Sequence, residues 1–84
     1  MSVNDLTVPD DLRGLLASCR ERNEVSQEKV AEMVGVSGRH YGNFERGNVQ
    51  RPSQLMLERV ADVLHMSTAE KRSMYELALE LPAV

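Results

Sequence analysis

Apolar residues recur at helical spacing along nearly the whole chain, and no alternating stretch is long enough to read as a strand. Leu12, Leu15, Leu16 and Cys19 fall at i, i+3, i+4 and i+7, which marks one face of a first helix predicted over Pro9 to Asn23. Pro9 suits a first helical turn, and Asp10 and Asp11 suit the positive end of the helix dipole. Ser26 is a candidate N-cap for a second helix in which Gln27, Val30, Ala31 and Val34 repeat the pattern; Gly35 can take the left-handed conformation that stops it. Ser37 then caps a short third helix, with Tyr41 and Phe44 facing inward and Gly47 as its terminator. Beyond a loop from Asn48 to Pro52, Ser53 caps a fourth helix carrying Leu57, Val60, Ala61 and Leu64. Ser67-Thr68-Ala69-Glu70 has the form of a capping box, and Met74, Leu77, Ala78 and Leu81 supply the inner face of a fifth helix before Pro82. The expected fold is all-α, a compact five-helix bundle. Residues 1–8 are expected to be a flexible segment and residues 9–84 a single domain.

With 84 residues there is no room for a second core, and aromatics at 4% are too few for a β-sandwich or a base-stacking platform. One cysteine, Cys19, excludes an internal disulfide scaffold, and with His40 and His65 far apart in the chain no structural zinc site is expected. Neither a metal nor a cofactor is called for. The opening MSVNDLTVPDD lacks a basic start and an apolar stretch, and no apolar run exceeds three residues, so a cytoplasmic, non-membrane protein is expected. An enzyme is not: Cys19 sits on the apolar face of the first helix, where a small core residue belongs, and no paired carboxylates or phosphate loop accompany it.

A net charge of −3 argues weakly against nucleic acid until it is divided along the chain. Arg13 to Gln54 holds seven basic residues against five acidic ones, and Ser37 to Arg51 carries Arg39, Arg46 and Arg51 against Glu45 alone. An anion could dock there, although a solvated loop with a few arginines has the same composition. Organisation decides. SQEKVAEMVGVSGRHYGNFERG, Ser26 to Gly47, places two short helices on either side of Gly35-Val36-Ser37, a connection so short that they must cross steeply and one must project its outer face.

Over about Arg20 to Leu64 the sequence resembles the phage repressor and Cro-like family of helix-turn-helix domains, the xenobiotic-response-element type with a lambda-repressor-like fold. The likeness rests on Gln27 opening the second helix, Ala31 at the helix contact, Gly35-Val36-Ser37 at the turn, Phe44-Glu45-x-Gly47 closing the third helix, and Arg51-Pro52 ahead of the fourth. Met66 to Ala78 is similar to actinobacterial regulators of this family. The resemblance implies a largely buried ion pair between Arg20 and Glu45, against the alternative of two ordinary surface charges. It also implies a transcription regulator whose partner is double-stranded DNA, an operator. A larger sensor domain often follows in such regulators; on a chain ending at Val84 control is expected from concentration, dimerisation or a regulatory protein partner.

In that arrangement the exposed start of the third helix enters the major groove, where each base pair shows a distinct donor and acceptor pattern. Candidate base-contacting residues are Gly38, Arg39, His40, Gly42 and Asn43. Arg39 can fork onto guanine or serve as a phosphate contact, Asn43 can bridge adenine, and His40 can reach a base, a phosphate or solvent. Gly42 is a departure from the family, readable as a close approach to a thymine methyl or sugar, or as a tolerated local weakness. Phosphate contacts are expected from Gln27, Ser37, Arg46, Asn48, Gln50, Arg51 and Ser53, with Arg22 and Lys29 better read as solvated. Tyr75 and Leu79 widen the apolar face of the fifth helix and are the candidate homodimer interface, unless Val3, Leu6 and Val8 fold over them. A protein-interaction or antitoxin-type module that keeps the helix-turn-helix shape is the competing reading.

Overall fold

Short polar side chains start every helix. In the computed structural model, which describes residues 11–48 and 51–81, the order is α1 (Leu12–Asn23), α2 (Gln27–Val34), α3 (Gly38–Glu45), α4 (Gln54–Val63) and α5 (Thr68–Ala78). The described residues contain no strand, so the all-α, five-helix expectation holds. Ser26, Ser37, Ser53 and Ser67 each accept the backbone N–H three residues on, and Glu70 returns a carboxylate to the Ser67 N–H, completing a capping box.

The first helix starts at Leu12, where its apolar pattern begins, rather than at Pro9 as expected. Asp11 is extended (φ −118°, ψ 158°) and its carboxylate accepts the Gly14 N–H, so it is the cap and Leu12 the first helical residue. Pro9 and Asp10 lie outside the described residues, as do the expected flexible segment 1–8 and Pro82.

The ends of α1, α2, α3 and α4 share one device, a residue in the left-handed region. Gly35, at φ 95°, lets the Val36 N–H reach the Ala31 carbonyl at 3.0 Å, which closes α2 and turns the chain at once into α3. Glu24 (φ 57°) and His65 (φ 51°) adopt the same left-handed turn without being glycine, with Val25 N bonding Arg20 O and Met66 N bonding Ala61 O. The backbone bonds hold both turns against the modest strain that such a φ imposes on an L-residue.

α2 packs on α3 and α4, α1 on α5 and α3, and α4 on α5. Leu15, Leu16, Cys19, Val30, Tyr41, Phe44, Val60, Leu64 and Met74 are fully enclosed at the centre. Tyr41 and Phe44 meet edge to face, with ring centroids 6.1 Å apart. α5 departs from expectation. Met74 and Ala78 are buried and Leu77 only partly so, while the helix ends at Ala78 and leaves Leu81, also partly buried, beyond it. No helix among the described residues is long and apolar enough to cross a membrane.

Candidate nucleic-acid interface

α3 has two unlike sides. Tyr41 and Phe44 are sealed in the core, while Ser37, Gly38, Arg39 and His40, the cap and first turn, are all exposed. The orphan N–H groups of that turn point outward, apart from His40 N–H, which the Ser37 hydroxyl accepts at 3.0 Å. Arg39 is exposed and makes no hydrogen bond or ion pair among the described residues. Beside it lies an open cleft of about 550 Å³ between the α2–α3 turn and the start of α4, lined by His40, Arg51, Ser53, Leu55 and Arg59 among others.

Behind this surface an ion pair fixes the angle of α3. Arg20 Nε donates to Glu45 Oε1 at 2.8 Å and Nη2 to Oε2 at 2.9 Å, the bidentate geometry a guanidinium prefers. Gln27 Nε2 adds a third donor to Oε2 at 2.8 Å, so one carboxylate joins the end of α1, the start of α2 and the end of α3. Glu45 is 2% exposed, the one buried charged residue among those described. Burial pushes its carboxyl upward, but the Arg20 and Gln27 hydrogen bonds outweigh that and hold it below the ordinary carboxylate range. The Tyr41 hydroxyl is buried nearby without a hydrogen-bond partner among the described residues, and burial followed by the Glu45 charge pushes the phenol up. Burial likewise raises Cys19 to about 11, leaving an unreactive thiol in the core.

A family model described as a helix-turn-helix domain matches residues 11–74, more than half of the chain. The chain belongs to the helix-turn-helix domain family. No curated protein and no solved structure matches it.

Within the helix-turn-helix, several residues sit differently from expectation. Gly42 is buried, not presented to a groove: a Cβ there would stand 3.2 Å from Arg46 Nη1 and 3.3 Å from Gln27 Oε1, so it lies beneath those two side chains. Arg51 does not project from its loop. Its Nη2 donates to the Leu79 carbonyl at 2.7 Å and the Leu81 carbonyl at 3.4 Å, satisfying the open end of α5. Asn43 is half-buried, with its carbonyl oxygen accepting from Arg46 Nη2 at 2.8 Å. Ser37 and Ser53 use their oxygens as caps and keep a hydroxyl hydrogen for another acceptor, while Asn48 is exposed and Gln50 lies outside the described residues.

Two arginines escaped sequence reasoning. Arg22, expected to be solvated, donates to Glu70 at 2.6 Å and to the Leu64 and His65 carbonyls at 3.2 Å, so it ties α1 to the end of α4 and the start of α5. Its hydrogen bond holds the Glu70 carboxyl below the usual range. Arg59 Nη1 reaches the Val34 carbonyl at 3.3 Å and braces the turn between α2 and α3 from below. Single arginines at such distant positions carry no pattern that periodicity could expose. Leu79, the residue just past α5, is 62% exposed, and Tyr75 on α5 is partly buried against the core; Val3, Leu6 and Val8 lie outside the described residues.

Proposed function

We propose that this helix-turn-helix chain is a sequence-specific transcriptional regulator of the Cro-like type, with α3 in the major groove of double-stranded DNA. What carries the reading is the contiguous exposed turn Ser37 to His40, set on a helix whose opposite face is locked into the core and braced by Arg20 and Glu45. A helix so held can enter a groove about one helix wide without reorganising. Arg39 and His40 face the bases, Gly38 permits close approach, and Gln27, Ser37, Arg46, Asn48, Gln50 and Ser53 serve the phosphates. The likeness of Met66 to Ala78 to actinobacterial regulators belongs to the same proposal.

Leu79 and Tyr75 form the core of a two-fold homodimer contact, since an apolar side chain this exposed beside a partly covered aromatic gains from a partner. A dimer reads an inverted repeat with half-sites one helical turn apart, about 10 base pairs centre to centre. A protein-partner module is the second reading, supported by the net charge of −3. Mobility-shift titration with random duplex at two salt concentrations separates the two: retention that weakens with salt supports DNA binding, and no retention at low salt contradicts it. Sedimentation at micromolar concentration showing monomer alone, without DNA, contradicts the dimer.

A further inference from the structure

We infer that Asn43 reads a keto base, guanine or thymine, as a pure hydrogen-bond donor, and that Arg46 and Gly42 are the positioning residues that make it one. The inference rests on the reading that α3 lies in the major groove. Asn43 and Arg46 are neighbours at i and i+3, joined by the 2.8 Å bond from Arg46 Nη2 to Asn43 Oδ1. A guanidinium has N–H groups and no acceptor, so the amide atom that faces it must be the carbonyl oxygen. The NH2 end is therefore the one left to meet a base.

Adenine shows the N7 acceptor beside the N6 amino donor, and reading both needs an amide that offers oxygen and nitrogen together. To read adenine, Asn43 Oδ1 would have to accept a second bond, from N6, while still held by Arg46, whereas guanine and thymine need only the NH2 that Arg46 leaves free. Guanine presents N7 and O6, and thymine presents O4, all acceptors that an NH2 can satisfy. Inside a groove, where water is excluded, the Arg46–Asn43 bond strengthens and the orientation persists.

Gly42 explains how Arg46 reaches its place. Glycine is among the poorest helix residues, yet a Cβ at this site would lie 3.2 Å from Arg46 Nη1 and 3.3 Å from Gln27 Oε1. The missing side chain is the space in which the guanidinium folds back along α3. A Cβ there obliges the guanidinium to give by a few tenths of an ångström, which strains its hold on Asn43.

Duplexes selected from a random pool by the wild type, Asn43→Ala, Arg46→Ala and Gly42→Ala test this, with circular dichroism confirming that each variant is folded. The wild type should fix guanine or thymine at one position per half-site, and Asn43→Ala should weaken that preference about 5- to 150-fold. Arg46→Ala and Gly42→Ala, one removing the guanidinium and the other displacing it, should both move the same position toward adenine and leave the others unchanged. Adenine at the Asn43-dependent position in the wild type, no effect of Asn43→Ala, or an unchanged base in both Arg46→Ala and Gly42→Ala overturns the inference while leaving DNA reading intact. A wild type that enriches no sequence overturns both.

Discussion

Replacing Glu45 with alanine should destabilise the domain more than any substitution on the exposed face of α3. The carboxylate is the common acceptor for Arg20 at 2.8 and 2.9 Å and Gln27 at 2.8 Å, and its side chain is only 3% exposed. Without it the Arg20 guanidinium stays partly enclosed and unpaired, and breaking a buried pair in this way costs ~3–5 kcal/mol. The Arg20 side chain is 18% exposed, so water can reach part of it and the lower end applies, about 3 kcal/mol. Domains of this size hold roughly 4–12 kcal/mol in total, from ~0.05–0.15 kcal/mol per residue. The thermal midpoint should therefore fall by about 12–24 °C, at ~4–8 °C per kcal/mol. Thermal unfolding of Glu45→Ala, Arg20→Ala and the double variant measures this as a cycle, and the double variant should be little worse than either single one. A midpoint unchanged in Glu45→Ala, or losses that simply add, would refute the coupling.

Arg51→Ala should lower stability by about 1 kcal/mol, because it opens the carbonyls at the end of α5; thermal melting checks this, and an unchanged midpoint with a reduced salt slope for DNA would return Arg51 to the phosphates. Acid should weaken the fold through Glu45 and Glu70, whose carboxyls are both held below their ordinary value. Stability from a depressed carboxyl is complete above the unfolded value of about 4.3 and is lost as pH falls through the folded one, since the unfolded chain takes up protons first. Melting from about pH 7 down to pH 3 should show that limb, and Glu45→Gln should flatten it; parallel limbs in the two proteins would contradict the assignment.

Local signals in the sequence were strong where one residue type has one physical use. Ser26, Ser37, Ser53 and Ser67 cap helices because a short hydroxyl side chain satisfies an orphan N–H, and Gly35 marks a left-handed turn that few residues tolerate. Periodicity placed the core faces of α1, α2 and α4, but it overstated α5, where Leu77 is only partly buried and the helix ends before Leu81. Glu24 and His65 end their helices in the left-handed region, which their residue types do not announce. Long charged side chains were the least legible: Arg51 and Arg22 reach across the fold to carbonyls that only the tertiary arrangement brings near. For the same reason Gly42 read as part of the groove surface, whereas Arg46 folds back over it.

The central claim is that the exposed first turn of α3 reads bases, and Arg39 tests it most directly because its guanidinium has no partner among the described residues. Wild type and Arg39→Ala would be titrated against a selected duplex and a scrambled one at several salt concentrations. The substitution should remove ~1–3 kcal/mol of binding to the selected duplex, relax preference at one base pair per half-site and leave the scrambled duplex nearly unaffected. Equal losses on both duplexes, with the base preference intact, would mean that Arg39 serves only the phosphates and that the first turn of α3 is not what reads the sequence.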